Sequence, residues 1–372
     1  MAKISIITVL NTINYGSVLQ TLATQTFMEQ LGLEAEFVDF ARKDQTVGAI
    51  IWNKLKTGRS SLTSWLKKPI NDCLDIAGVL KSQSVFRQFI KQNIHISNTK
   101  YCGYDDLTMN PPSADIYCTG SDQMWNTFWN QGIEKSFFLE YAPIGKKRIS
   151  FSTSIGNTAF SELEEEQAVP LIQKFDFVTV REKSAETLLR HYGVDAVAIP
   201  DPTLLFDRDF WMRLASDEIR RPPYLLVYQL HPTHKDADFD AAVKQIAREK
   251  GLEIVRVVYS RANRKFGKKE YLPSVERFLS LLRNADYIVT DSFHGTAFSI
   301  NFEKQFAVLY PTQFSTRMQS LLELTGLTDR RYEDTSSLER YLEPINYEKP
   351  REILNAERQR TREMFRSMVD SI

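Results

Sequence analysis

The sequence predicts an α/β protein of two facing Rossmann-like domains, with a C-terminal helix that packs back on the first domain. Three observations predict this class. Short apolar runs alternate with helical patterns along nearly the whole chain, which is typical of parallel sheets covered by helices. A proline-containing stretch at 200–206 interrupts the alternation, which starts again at residue 223. A length of 372 residues is too great for one ordinary domain and suits two.

The first domain opens with a continuous β-branched run at 4–10, as expected for a strand buried on both faces. The turn NTINYGS comes next, then a helix that ends at Gly32 and a second strand over 35–40. Residues 44–98 break the alternation with a helical pattern that carries Trp and Lys, and we interpret them as an insertion. Further strands are predicted at 114–120, 147–156, 175–180 and 195–200.

The second domain opens with the strand PYLLVYQL at 223–230 and alternates regularly up to the strand QFAVLY at 305–310. From Pro350 onward, a polar-rich helix carries apolar residues spaced for one face. These are Ile353, Leu354, Met364, Phe365 and Met368. We therefore expect domains over 1–205 and 206–345 and a closing helix over 346–372.

Charge and cysteine content exclude several classes of protein. Lys and Arg together number 47, as do Asp and Glu, so the net charge is zero, whereas a general nucleic-acid binder is usually basic. The three cysteines are far apart and odd in number, which supports neither a zinc ribbon nor a disulfide framework. The N-terminal apolar run is too short for a signal peptide, and no run of 18 apolar residues occurs. We expect a cytoplasmic enzyme or binding protein.

The stretch IVTDSFHGTAFSI at 288–300 joins a predicted strand to a predicted helix. Ser292 can cap that helix, whose first N–H groups favour an anion. His294 would then lie in the first turn beside the anion, and an imidazole transfers protons well near neutral pH. In the alternative interpretation, Ser292 only caps the helix and His294 binds a neighbouring loop.

A second junction, GSDQMWN at 120–126, comes directly after another predicted strand. Small residues let a ligand approach the backbone, and carboxyl and amide side chains can bind sugar hydroxyls. Trp125 or Trp129 can stack on a sugar ring, although a buried Trp is equally ordinary. The candidate contacts here are Gly120, Ser121, Asp122, Gln123, Trp125 and Asn126.

Three further features have two interpretations each. The stretch Asn14-Tyr15-Gly16-Ser17 is either a polar lip of the cleft or a capped turn, and it lacks the glycines of a dinucleotide-binding loop. Arg181 follows a strand and Arg317 opens a helix, so each can pair with a carboxylate or phosphate or form a surface ion pair. The Trp and Lys residues near 50–70 can pack normally or rest on a membrane surface.

Taken together, these stretches resemble the polysaccharide pyruvyl transferase family. NTINYGSVLQTLA, GSDQMWN, VREKSAETL and VTDSFHGTAFSINF occur in the family's order, and RMQSLLELTGLTDR is similar to the family's pattern after the last of these motifs. The likeness covers roughly residues 3–330 and is weakest in the insertion. It implies a GT-B-like fold with the active site between the domains.

The resemblance also implies the reaction and its partners. The donor would be phosphoenolpyruvate, and the acceptor would be a sugar, with a lipid-linked oligosaccharide among the options. The product would be a pyruvate ketal on a cell-surface polysaccharide or its precursor. No cofactor or metal is needed, and the acidic run DADFD at 236–240 suits a helix start better than a metal. We expect the protein to act in the cytoplasm, with peripheral contact at the inner face of the membrane as a second option.

The resemblance implies roles for individual residues. His294 matches the family's motif histidine as the acid/base group, Arg181 matches a family arginine, and we also expect Asp122 to be catalytic. The expected donor contacts are Arg181, Ser292, Phe293, Gly295 and Arg317. The expected acceptor contacts are Asn14, Tyr15, Gly16, Ser17, Gly120, Ser121, Gln123, Trp125 and Asn126.

One departure keeps other functions open. Many family members carry an arginine where this chain has Ser292. Either Arg317 or Lys269 replaces that charge, with the first N–H groups of the helix as a further contribution, or the site accepts a differently charged donor. A GT-B glycosyltransferase that uses a nucleotide-sugar is one alternative, with Glu303 or Glu323 as the acid that binds ribose. A non-catalytic partner in glycan assembly is the other.

Overall fold

Two parallel sheets packed against helices form the protein, for which a computed structural model describes residues 1–10, 14–42, 68–216, 222–231, 236–261, 263, 265–311, 315–333 and 338–371. The first part of the predicted insertion, residues 44–67 with Trp52 and Trp65, lies outside the described residues.

The first sheet has seven parallel strands in the order β3-β2-β1-β4-β5-β6-β7. Its strands are β1 (Lys3–Ile7), β2 (Glu34–Phe40), β3 (Ile96–Tyr101), β4 (Ile116–Thr119), β5 (Lys147–Thr153), β6 (Phe177–Val180) and β7 (Ala196–Ala198). Its helices are α1 (Tyr15–Gln30), α2 (Lys68–Asn93), α3 (Tyr104–Met109), α4 (Thr127–Asn130), α5 (Glu162–Ile172) and α6 (Lys183–His191). This strand order, with β1 at the switch point, is that of a Rossmann-like sheet, as predicted.

The second sheet has five parallel strands in the order β10-β9-β8-β11-β12. Its strands are β8 (Tyr224–Tyr228), β9 (Glu253–Val258), β10 (Lys268–Tyr271), β11 (Tyr287–Thr290) and β12 (Gln305–Val308). The helices of this half are α7 (Arg208–Leu214), α8 (Asp236–Glu249), α9 (Val275–Asn284), α10 (Phe293–Asn301), α11 (Thr316–Thr325), α12 (Leu338–Leu342) and α13 (Glu348–Asp370). The boundary expected near residue 205 falls between β7 and β8.

The apolar core explains why the two sheets face each other. Residues of β1 alternate between two buried clusters, with Ile4 and Ile6 in one and Ile7 in the other, so the sheet is covered on both faces. The cluster that contains Ile4 continues into the second sheet through Leu226 and Ile288. The inner faces of both sheets therefore share one core, which directs the carboxyl ends of their strands towards a common cleft.

Two strands lie where the sequence predicted none. β3 overlaps the end of the predicted insertion, and β10 overlaps a basic run at 261–269. Both form sheet edges, and most of their residues are at least partly exposed. Edge strands of this kind are polar, so they lack the apolar run by which the other strands were recognised.

The C-terminal helix α13 returns to the first sheet, as predicted. Phe365 is fully buried and packs edge-on against three phenylalanines of that half, with ring centroids at 5.0–5.7 Å. These partners are Phe27, Phe151 and Phe177. At its other end, α13 buries Leu354 in the shared core. Within the described segments, no helix is long and apolar enough to cross a bilayer.

Candidate active site

Arg181 and Asp201 form a buried ion pair at the carboxyl edge of the first sheet. Arg181 directly follows β6, and Asp201 lies three residues after β7. Arg181 Nη1 donates to Asp201 Oδ2 at 2.6 Å, and both side chains are at most 1% exposed. Asp201 also accepts from the backbone N–H and hydroxyl of Thr203 and from the hydroxyl of Ser121. The carboxylate is thus fixed by three parts of the chain.

Asp122 lies opposite in the same cluster and has a left-handed backbone, with φ of 85°. Non-glycine residues rarely adopt this conformation, and its persistence indicates that the surrounding contacts hold it. Asp122 Oδ2 accepts from the hydroxyl of Ser17 at 2.7 Å, and Oδ1 accepts from the Gln123 N–H at 3.0 Å. The guanidinium of Arg181 lies 3.5 Å from Oδ1, and that of Arg317 lies 3.9 Å from it.

His294 comes from the second sheet and completes the cluster. Ser292 caps α10 by accepting from the Gly295 N–H at 3.2 Å, which puts His294 in the first turn. The imidazole packs directly on Gly16, where an added Cβ would lie 2.0 Å from Nδ1. His294 Nε2 lies 3.7 Å from Asp201 Oδ2, which is too long for a hydrogen bond. The first turns of α1 and α10 therefore meet at the imidazole.

Phe293 separates the two arginines. Its ring lies 4.7 Å from the guanidinium carbon of Arg181 and 5.7 Å from that of Arg317, and both contacts are of the cation–π type. Arg317 opens α11 near its first turn, and its side chain is 11% exposed. Two cations from opposite halves of the protein thus converge on one aromatic ring.

Burial and charge shift the pKa values of these groups. Burial opposes ionisation of Asp201, but the neighbouring His294 and Arg181 and the Thr203 hydroxyl hold its pKa well below its usual range. Burial likewise opposes ionisation of Asp122. This effect is outweighed by the neighbouring groups Arg181, His294 and Arg317, so the pKa of Asp122 is also lowered. Burial, together with the charge of Arg181, lowers the pKa of Arg317 to about 10. Both aspartates are therefore ionised at neutral pH.

Several buried polar atoms in this cluster have no hydrogen-bond partner among the described residues, although Arg181 Nη2 lies 3.5 Å from Asp122 Oδ1. They are Arg181 Nε and Nη2, Arg317 Nε, His294 Nε2, Glu182 Oε2 and Ser184 Oγ. Buried polar atoms without partners are rare in folded proteins, because each one costs free energy. Three of these six atoms are guanidinium nitrogens, so the cluster has the chemistry of an anion-binding site.

A family comparison identifies the group of proteins to which the chain is related. The model of the family described as polysaccharide pyruvyl transferase matches residues 14–312. The chain belongs to this family. It is accordingly a transferase, and a member of this family acts on a sugar acceptor. Among curated proteins, no relative matches the chain.

Comparison with solved structures supports the GT-B-like fold of this pyruvyl transferase family member. The UDP-GlcNAc 2-epimerase of Methanocaldococcus jannaschii is 10% identical, with a TM-score of 0.50 over 94% of this chain and 95% of that one. The glycosyltransferase SsfS6 of Streptomyces sp. SF2575 is 13% identical, with a TM-score of 0.42 over 96% of each chain, and the fold assignment does not rest on this lower likeness. At such identities the likeness concerns the fold alone.

Several residues predicted to contact the acceptor hold the site together instead. Ser17 and Ser121 donate their hydroxyls to Asp122 and Asp201. Tyr15 is buried, stacks on Phe278 at 4.1 Å and donates to the Pro273 carbonyl. Gly16 provides the surface on which His294 packs. Tyr15 and Gly16 therefore connect the two halves of the transferase, and Ser17 and Ser121 hold the two aspartates within the first half.

The acceptor contact predicted for Trp125 is wrong. Its side chain is 2% exposed, stacks on Phe138 and donates Nε1–H to the Phe137 carbonyl, so no ring face is open to a sugar. Asn126 is fully buried and caps α4. Asn14 caps α1 and, like Gln123, remains partly exposed.

Only some of the other residues expected at the site lie in the cluster. Gly295, expected at the donor, packs on β11, where an added Cβ would lie 2.3 Å from Thr290 Oγ1, and Gly120, expected at the acceptor, packs near Thr8. Lys269 lies in the edge strand β10 and donates to the Asn263 carbonyl. Arg317, in contrast, lies within 4 Å of Asp122. Of the two cations expected to replace the missing arginine, Arg317 is the one in the cluster.

Sequence reasoning missed two carboxyl groups of the cluster. Asp201 directly follows Pro200 after β7, at the same strand edge as Arg181, and that position was the available signal. Glu182 is adjacent to Arg181 and fully buried, with Oε1 bonded to the Ser154 hydroxyl. The sequence feature by which Glu182 could have been identified is its position between a predicted strand and a predicted helix.

A cavity of about 510 Å³ opens beside the cluster. Arg181, Asp201, Phe293 and Arg317 border it on one side, and Glu357 and Arg360 of α13 border it on another. Its size is typical of small-molecule sites in proteins. Within the described part of the chain, no cluster of three or more His, Cys, Asp and Glu side chains could hold a metal ion.

Proposed function

We propose that this protein transfers the pyruvate unit of phosphoenolpyruvate to a sugar and closes it into a ketal across two hydroxyls. The observation that supports this most is that Arg181 and Arg317 have guanidinium nitrogens without hydrogen-bond partners, in the cluster that also contains the imidazole of His294. A carboxylate and a phosphate on one small molecule would supply acceptors for both guanidiniums. Family membership supports the same donor and acceptor classes.

Arg317 supplies the positive charge that many relatives place on an arginine at the position of Ser292. It approaches Phe293 and Asp122 from α11, and its Nε is unpaired. Arg181 reaches the same ring from the other half of the protein. Two cations therefore remain available to the donor although position 292 is a serine, and Ser292 itself stabilises the first turn of α10.

The reaction needs a group that moves protons in both directions. Protonation of the donor's methylene carbon makes it a methyl group and leaves the adjacent carbon open to attack by a sugar hydroxyl. The carbon–oxygen bond to phosphate then breaks, and a second hydroxyl closes the ketal. The two hydroxyl protons are balanced by one on the methyl group and one on the released phosphate.

His294 is the group that fits these transfers. It lies in the first turn of α10, is 4% exposed, and its Nε2 has no hydrogen-bond partner among the described residues. Asp122 is a weak base, because its pKa is lowered by the cations around it. We therefore assign to Asp122 and Asp201 the role of orienting the two arginines and the imidazole, and the proton transfers to His294.

The nucleotide-sugar alternative finds less support in the site. Glu303 follows α10 at the end opposite to His294 and forms a bidentate pair with Arg351. Glu323 accepts from the side chain of Gln319 on α11. Glu303 is thus engaged by Arg351, whereas Glu323 lines the cavity beside the cluster and is the acid to which this alternative is reduced.

Calorimetric titration with phosphoenolpyruvate tests the donor. We expect saturable binding to the wild type, severe weakening in Arg317→Ala and unchanged binding in Arg277→Ala. Arg277 is a matched control because it pairs with Glu270 near the sheet edge, away from the cluster. Lack of binding at millimolar donor, or equal binding by both variants, would contradict the proposal.

A further inference from the structure

Glu182 is a buried carboxyl group in the cluster that the proposed reaction does not use. It precedes α6, and its side chain is fully shielded from solvent. Oε1 accepts a hydrogen bond from the Ser154 hydroxyl, whereas Oε2 has no partner among the described residues. The charges that act on it are Arg181, from the end of β6, and Arg317, from α11.

The other two carboxylates of the cluster are satisfied on both oxygens. Asp122 accepts a hydrogen bond at each oxygen, and so does Asp201. A buried oxygen without a donor is unfavourable, particularly when it carries charge. A proton that enters the cluster is therefore best accommodated on Glu182, because it is the one of these three carboxyls with an unoccupied oxygen.

The charge balance of the cluster explains why a proton on Glu182 would favour binding of an anion. Arg181 and Arg317 carry two positive charges, and Asp122 and Asp201 carry two negative charges. An ionised Glu182 adds a third negative charge, which draws on the same guanidiniums that an anionic ligand needs. Burial already raises the pKa of Glu182, against the opposing effects of Arg181, Ser154 and Arg317. A bound anion would compete for those cations and raise it further.

We propose that Glu182 takes up a proton when an anionic donor binds, which releases the guanidinium charges of Arg181 and Arg317 for the donor's carboxylate and phosphate. The identity of that donor rests on the proposed function. The proton site rests on the cluster itself. Glu182 is thus a positioning residue, since it acts through the two arginines.

Proton counting by calorimetry tests this. Phosphoenolpyruvate is titrated at neutral pH into the wild type in buffers of different ionisation enthalpy. The slope of the observed binding enthalpy against the ionisation enthalpy of the buffer gives the number of protons exchanged. We expect uptake in the wild type to exceed that in Glu182→Gln by up to about one proton per donor bound. The matched control is Glu186→Gln, on the same helix. Glu186 is bonded on both oxygens, by Lys183 and by the Ala198 N–H, so its replacement should leave the uptake unchanged.

Equal uptake in the wild type and in Glu182→Gln would overturn the inference and assign the proton to another group, such as His294. If Glu182→Gln fails to fold, difference infrared spectroscopy on the wild type decides. A new protonated-carboxyl band on addition of donor is the expected result, and no such band would overturn the proposal.

A parallel titration with inorganic phosphate separates the two proposals. If phosphoenolpyruvate does not bind but phosphate binds with uptake that depends on Glu182, the donor is wrong and the inference stands. If phosphoenolpyruvate binds without that dependence, the donor stands and the inference falls. If neither binds, the cluster is not an anion site and both fall.

Discussion

Arg181 and Arg317 flank the same phenylalanine but are anchored differently. Arg181 is 1% exposed and bonded to Asp201 at 2.6 Å, so it is part of the buried framework. Arg317 is 11% exposed, and the carboxylate nearest to it in the cluster, Asp122, lies at 3.9 Å. Removal of Arg181 leaves the buried carboxylate of Asp201 without its closest cation. Removal of Arg317 breaks two weaker contacts, with Asp122 at 3.9 Å and with the Phe293 ring at 5.7 Å.

We therefore predict that Arg181→Ala lowers the free energy of unfolding by about 3–5 kcal/mol. Arg317→Ala should lower it by about 1 kcal/mol or less, while it still abolishes tight donor binding. Denaturant unfolding and calorimetry on both variants check this. Equal losses of stability would show that Arg317 is also part of the framework.

Glu182 predicts a pH dependence of stability with a definite sign. Its pKa is raised in the folded state above an ordinary value near 4.5. The stability that it contributes is fully present below that value and is lost as the pH rises towards the folded-state pKa. Glu182→Gln cannot titrate, so its stability relative to the wild type should increase with pH above about 4.5, by up to about 1.4 kcal/mol per pH unit.

Denaturant unfolding at a series of pH values measures this difference. The control Glu186→Gln should behave in the opposite way, because hydrogen bonds and nearby cations lower the pKa of Glu186 despite its burial. Its stabilising effect is present at neutral pH and is lost on acidification. A flat difference for Glu182→Gln would mean that Glu182 has the same pKa in both states.

At the scale of elements, the site depends on how closely two helix starts approach each other. Asn14 caps α1 and Ser292 caps α10, and both caps use a side-chain oxygen. Gly16 in the first turn of α1 leaves no side chain between its backbone and the His294 ring. Any Cβ at this position would clash with the imidazole and displace it.

Gly16→Ala should therefore abolish transfer and destabilise the fold, because the new methyl would lie 2.0 and 2.1 Å from two ring atoms. The double variant Gly16→Ala/His294→Ala should recover part of that stability. Recovery is partial, because His294 Cβ lies 2.7 Å from the added methyl. A double-mutant cycle measured by thermal unfolding gives the coupling, and strict additivity would contradict this account.

At the scale of the whole molecule, α13 spans both halves. Leu354 is buried in the shared core near the start of α13, and Phe365 is buried among the phenylalanines of the first sheet. The same helix contributes Glu357 and Arg360 to the cavity wall. Its packing thus fixes both the arrangement of the two sheets and one side of the cavity.

Phe365→Ala should lower the free energy of unfolding by about 3–5 kcal/mol, because a fully buried ring is removed from a packed core. Arg366→Ala is the matched control on the exposed face of α13 and should change stability by less than about 0.5 kcal/mol. Denaturant unfolding compares the two variants. A small effect of Phe365→Ala would indicate that the sheets hold together without this helix.

The amino-acid sequence by itself determined the two α/β halves, the closing helix and the strand ends at which polar residues collect. These features are local, since apolar periodicity, caps and turns depend on neighbouring residues. His294, Asp122, Arg181 and Arg317 were identified in this way, and they do lie in one cluster.

Only the tertiary structure decided which of these residues meet. Asp201 contacts Ser121, which is 80 residues away, and His294 packs on Gly16, at the other end of the chain. Such contacts depend on how two sheets share one core, and no local pattern encodes them. For the same reason, Trp125 could not be assigned to the core from sequence, and the polar edge strands β3 and β10 carried no apolar signal. Burial and charge pairing are properties of the assembled sheets, so the chemistry of the site is decided at that level.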